Sequence, residues 1–188
     1  MGKRNCAPCW RYTKVMSGAI SQMQMVYNAE EDRILFRVNT TDKSEFRFWV
    51  TRRYAMMLLK VLRDHVQADP DLSHLPTSQD QQAVKEFKRE QAMGDANFEK
   101  KFEEQPSHYP LGSEARLAFK LTFSFRDDGS LQLSVQPKEG QGINVVINQQ
   151  INLTLTELIL AASRKGDWKL DEWLKQVPAT EQEQRVIN

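Results

Sequence analysis

Apolar and polar residues alternate with a period of two through three short stretches near the start of the chain. In ISQMQMVYN, Met23, Met25 and Tyr27 fall on one face. In RILFRVNT, Ile34, Phe36 and Val38 oppose Leu35 and Arg37. In EFRFWV, Phe46, Phe48 and Val50 oppose Arg47 and Trp49. Such alternation marks antiparallel strands with one buried face, and the polar stretches NAEED and TDKS between them read as turns. The period then changes. Thr51 is a good helix N-cap, and Ala55, Leu58, Leu59, Leu62 and Val66 recur at helical spacing after it.

The same order returns later. ARLAFKLTFSF predicts one long strand with Leu117, Phe119, Leu121, Phe123 and Phe125 inward. Asp128-Gly129 signals a hairpin, LQLSV follows with Leu131, Leu133 and Val135 inward, and PKEGQG turns the chain. INVVINQQINL predicts a third strand, bulged near Gln149-Gln150, ahead of a helix opened by a Thr154/Glu157 capping box. Leu155, Leu158, Ile159 and Ala162 line that helix, and Gly166 ends it. On this reading FWVT at 48–51 corresponds to INLT at 151–154.

The predicted fold class is α+β: tandem βββα repeats forming antiparallel sheet packed on helices, with a charged helical insertion between the repeats. The expected divisions are a disordered leader (1–15), a first half (16–67), a charged helical linker (68–114), a second half (115–166) and a short C-terminal helix and tail (167–188). Three strands and one helix are marginal alone, so the halves are expected to share a sheet or core. In the linker, Ser78 and Gln81 form a capping box, Gly94 breaks the helix, and Phe98 and Phe102 lie one turn apart beyond it. Asp167 is expected to cap a last helix carrying Leu170, Trp173, Leu174 and Val177 until Pro178 stops it, and the tail beyond is expected to be mobile.

If the phenylalanines face the helices, the opposite face of the strands carries Leu35, Arg37, Arg47 and Trp49 from the first half. The second half adds Arg116, Lys120, Thr122, Ser124, Gln132, Asn144 and Asn148 among others. Cations beside an aromatic ring on a sheet suit single-stranded DNA or RNA, since cations meet phosphates and rings stack on bases. Arg37, Arg47, Trp49 and Lys120 are therefore the candidate nucleic-acid-binding residues. Residues 33–63 hold eight Lys or Arg and two acids, although Glu30, Glu31, Asp32 and Asp64 flank that run. In element order the chain resembles the tandem sheet-plus-helix layouts of whirly-type and PUR-type proteins. The bland alternative pairs Arg37 and Arg47 with Glu45 or Glu31 and packs Trp49 against the linker or a second subunit.

Composition narrows the remaining classes. The chain has 188 residues, 40% apolar and 27% charged, with a formal net charge of +1. That supports a globular core and leaves bulk charge neutral on nucleic acid or membrane. No apolar run reaches the ~20 residues that span a bilayer, and no apolar stretch follows the basic N-terminus, so a cytoplasmic location without membrane contact is expected. Cys6 and Cys9 make a lone C-x-x-C with no preceding strand, and His65, His74 and His108 are scattered, so no metal or cofactor is expected. Met16 is a plausible internal start. No phosphate loop, dinucleotide fingerprint, nucleophile elbow or zinc-protease motif is present, and the chain is expected to be a non-enzymatic binding module. The competing reading is a self-associating interaction or scaffold protein, a homo-oligomer. It rests on the broad apolar arc of the first helix: Tyr54, Met57, Leu58, Val61 and Leu62, with Met56 and Leu59 beside them.

Overall fold

Residues 19–96, 101–103, 108–176 and 186–187 are described in a computed structural model of the protein. The leader, Cys6, Cys9, Met16, Phe98, Val177 and Pro178 lie outside them. Strands β1 (Ile20–Asn28), β2 (Arg33–Thr40) and β3 (Glu45–Val50) form an antiparallel meander, and β4 (Arg116–Leu117) adds to β3 in parallel. The register places Met25, Phe36 and Phe48 side by side. All three are buried, as are Ile34, Phe46 and Val50 on the same face. Strands β5 (Lys120–Phe125), β6 (Leu131–Gln136) and β7 (Ile143–Ile147) form a second antiparallel sheet. The short β8 (Val186–Ile187) pairs with β5, so part of the tail expected to be mobile is tied to a sheet.

Among the described residues, five helices accompany the strands: α1 (Arg52–Gln67), α2 (Pro70–Ser73), α3 (Ser78–Asp95), α4 (Gln149–Lys165) and α5 (Leu170–Gln176). The fold is thus mixed α+β, two sheets packed with helices. Helix α4 packs on α1, α3 and β1, and α1 also reaches β5 and α5. One continuous apolar core results, joining Phe36 and Val38 of the first sheet, Leu133 and Ile147 of the second, Leu58 of α1 and Leu155 of α4. A ring of polar contacts fixes the end of α4. Asp32 accepts from the Tyr27 hydroxyl at 2.8 Å and from Trp168 Nε1 at 3.2 Å. Gly166 ends the helix where a Cβ would stand 2.5 Å from the Tyr27 ring, so close approach explains this glycine.

Several expectations are corrected. The long strand over 115–125 is two strands in different sheets. At the crossing, Ala118 N donates to Trp49 O and Phe119 N donates to Gln136 O, both at 2.9 Å. A chain that changes sheets must bend, and the bend resets the alternation: Ala118 is buried, while Leu117 and Phe119 are 42% and 48% exposed. The third strand of the second half stops at Ile147, and the Asn148 side chain caps α4 by accepting from Ile151 N at 2.9 Å. Thr154 lies inside the helix, with its hydroxyl bonded to Gln150 O, and Asn148 is a cap rather than a sheet-face residue. The two strand-to-helix junctions are Val50-Thr51 and Ile147-Asn148. The early turns of α4 were concealed because its inward stripe opens on a polar residue, the fully buried Asn152.

Helix α3 is capped by Thr77 rather than Ser78. The Thr77 hydroxyl accepts from Asp80 N at 3.1 Å and donates to the Asp80 carboxylate at 2.7 Å, and the helix runs through Gly94 to Asp95. Helix α5 begins at Leu170; Asp167 sits in the preceding turn with φ of 51°. Finally, most of the apolar arc of α1 is covered within the chain. Tyr54, Leu58, Val61 and Leu62 are each at most 2% exposed, because the helix meets α4, α5 and β5 as well as its own sheet. Met56 and Met57, at the margin of the arc, are only partly buried.

Candidate functional site

The outer face of the first sheet is organised in rows that run across its strands. Lateral partners share a face, so the register assigns each row directly. One row is Gln22, Asn39 and Glu45; the next is Gln24, Arg37 and Arg47; the third is Val26, Leu35, Trp49 and Leu117. Arg47 and Trp49 thus stand on the face opposite Phe46 and Phe48. Lys120 belongs to β5 in the other sheet, so the structure brings three of the four candidate residues together and leaves the fourth apart.

The two arginines converge on one carboxylate. Arg37 Nε and Arg47 Nε each donate to Glu45 Oε1 at 2.7 Å. Arg37 also donates to Gln24 Oε1 at 3.3 Å, and Arg47 donates to Ser113 O at 3.0 Å and to the Tyr109 hydroxyl at 3.1 Å. An aromatic ring lies over each guanidinium: Phe102 is 4.3 Å from Arg37 and Tyr109 is 4.7 Å from Arg47. The backbone of Glu103 adds two bonds, accepting from Asn39 Nδ2 and donating to Gln22 Oε1. Glu45 N donates to His108 O at 3.0 Å. Residues 101–103 and 108–113 are therefore fastened across the polar rows by cation–π contacts and hydrogen bonds.

Glu45 is fully buried. Burial pushes its carboxyl up, but the Arg37 and Arg47 guanidiniums outweigh that and hold it below its ordinary value of 4.5. Shared charge and covering rings leave little of Arg37 for an outside phosphate: it is 7% exposed. The apolar row differs. Val26 and Leu117 are each 42% exposed, and Leu35 and Trp49 are half-buried.

Sequence reasoning named Glu45 as one partner for the arginines and missed Phe102 and Tyr109 as their covers. Their contacts link residues more than sixty positions apart, and no local pattern reports that. It also missed a buried polar cluster at the junction of α1, α4 and the β5–β6 turn. His65 Nε2–H donates to Gly129 O at 2.9 Å, and His65 Nδ1 accepts from Asn152 Nδ2 at 2.7 Å. Asn152 also donates to Leu62 O at 2.9 Å. Gly129 has φ of 74°, which the turn requires and which aims its carbonyl at the histidine. Burial pushes His65 below its ordinary value of 6.5, so the ring is neutral. Each of its nitrogens has a partner inside the protein, and the cluster reads as structural.

Among the described residues, no three His, Cys, Asp or Glu side chains gather where a metal ion could be held, and no helix is long and apolar enough to cross a membrane. Comparison with family models, curated proteins and solved structures finds no significant match to this chain.

Proposed function

We propose that the protein is a non-enzymatic binding module that docks a protein partner on the outer face of β1–β4. The observation that carries this reading is the row Val26–Leu35–Trp49–Leu117, which crosses all four strands with every member exposed or half-exposed. Scattered apolar side chains are normal on a surface; a contiguous row with a tryptophan inside it is the composition of a contact surface. The neighbouring arginines are engaged by Glu45, Phe102 and Tyr109, which favours an apolar partner surface over a polyanion.

A second reading, single-stranded DNA or RNA, keeps one specific support. Trp49 offers a partly open ring, and exposed Arg52, Arg53 and Arg116 lie close to Trp49 and Leu117 along the chain. Lys120 would contribute from the second sheet. The order β1–β2–β3–α1 and β5–β6–β7–α4, with each helix capped by the residue that follows its third strand, supports reading the chain as tandem βββα repeats.

The test is photo-crosslinking in the protein's own cells, with benzoylphenylalanine placed in turn at Val26, Leu35, Trp49 and Leu117, and at exposed Glu90 on α3 as control. One protein species captured from all four positions and absent from the control is the expected result; capture of the same chain is its self-associating form. Crosslinks to nucleic acid select the second reading. No product above the control from any of the four positions overturns the docking face.

A further inference from the structure

We infer that the edge of β1 facing away from β2 is a binding site for an extended peptide strand contributed by another protein. A cavity of about 390 Å3 is lined by six consecutive residues of β1, Ile20 to Met25, by Ile151, Thr154 and Leu158 of α4, and by Ala96 and Phe102 on the linker side. Successive residues of a strand point to opposite faces. A space touched by six in a row therefore opens on the edge of the strand, where its backbone is presented.

Among the described residues, β1 pairs only with β2. In an antiparallel pair every second residue turns its N–H and C=O away from the neighbour, so the slot runs beside a half-empty hydrogen-bond ladder. Such an edge is a template for another chain, and proteins ordinarily blunt or cover it. Here it is flanked by Ile151, Thr154 and Leu158 of α4 on one side and by Ala96 and Phe102 on the other. This complementarity, backbone ladder on one side and side-chain walls on the other, is strand addition.

The walls also state the occupant's chemistry. The register shift between Ile20 and Gln22 turns Ile20 to the same side as Met23 and Met25. With Ile151 and Leu158 these residues make one wall apolar. Gln22 and Gln24 face the other side, near Phe102. The fitting ligand is an extended segment of about six residues, which spans ~20 Å, with apolar and polar side chains alternating. The slot uses none of the Trp49 row, so this site and the docking face stand or fall separately.

The experiment pans a displayed library of random octapeptides against the full chain, against Thr154→Trp, which fills the slot from the helix wall, and against Trp49→Ala. Both variants are first checked for cooperative unfolding and for amide spectra like those of wild type. The expected peptides alternate apolar and polar residues, bind Trp49→Ala as they bind wild type, and bind Thr154→Trp at least tenfold more weakly. Synthetic copies with N-methyl groups on alternate backbone nitrogens give an independent reading that requires no variant. One of the two methylation series, the one facing β1, weakens binding at least tenfold, and the other leaves it unchanged. Selected peptides indifferent to Thr154→Trp, a consensus without alternation, or equal binding of both methylation series overturns the proposal. A wild-type dimer that becomes monomeric in Thr154→Trp overturns it as well, in favour of a second copy in the slot.

Discussion

The two faces of the β1–β4 sheet are built from the same strands and do different work. The inner face is uniform: Ile34, Phe46 and Phe48 have no exposure, and helices from both halves of the chain close over them. The outer face is divided. Its polar rows are fastened to residues 101–103 and 108–113 by an Arg–Glu–Arg cluster under two aromatic rings, while its apolar row remains partly in water. Alternation assigns a residue to a face. It does not say whether that face meets solvent, the chain itself or a partner, and that distinction separates Arg47 from Trp49 two residues later.

The largest expected effect comes from the inner face. Phe46→Ala removes a fully buried ring and leaves a cavity, for a loss of about 3–5 kcal/mol in urea unfolding. A loss below about 1 kcal/mol would mean that the inner face is looser than described. Next is the fastened part of the outer face. Glu45→Ala strands two guanidiniums that share one buried carboxylate, and a loss of about 3 kcal/mol is expected. Its specific sign is faster amide exchange in residues 108–113, with the inner strands unchanged. The Glu45 contribution also falls with acid. Its folded value lies below 4.5, so the stabilisation is complete above 4.5 and is lost as pH falls through the folded value.

A smaller and separable effect belongs to His65. Its folded value lies below 6.5, so the unfolded chain takes up the proton first. Stability is therefore complete above about 6.5 and declines as pH drops from there toward the folded value. Protonation at Nδ1 would also end the bond from Asn152. Melting temperatures between pH 7.5 and 5.5 are expected to fall for wild type and to stay flatter for His65→Gln. Equal slopes would remove His65 from the account. The decline for His65 begins at a higher pH than that for Glu45, so the upper part of one pH series reports His65 first.

The first half of the chain was legible because each local signal agreed with the next. Period-two strands, polar turns and the Thr51 cap all pointed one way, and the structure keeps each of them. The second half was misread wherever long-range structure overrode local pattern. At Ala118 one apparently continuous strand passes from sheet to sheet. At Asn152 a polar residue begins a buried helical stripe because His65 and Leu62 O, ninety positions away or nearly so, supply its partners. The outer site was half legible: the row of Arg37 and Arg47 and the side taken by Trp49 follow from alternation, but the cover over the arginines comes from the linker. The slot beside β1 could not be read at all, since it exists only where α4 and Phe102 come to flank that edge.

The central claim, that the inner face makes the fold while the apolar outer row is held for contact, is tested most directly at two adjacent residues. Phe48 and Trp49 share a strand and point to opposite faces. Urea unfolding of Phe48→Ala and Trp49→Ala under identical conditions compares them without needing a partner. The account predicts a loss of about 3–5 kcal/mol for Phe48→Ala and about 1–2 kcal/mol for Trp49→Ala, whose side chain is already partly in water. Equal losses would contradict it, because Trp49 would then be core.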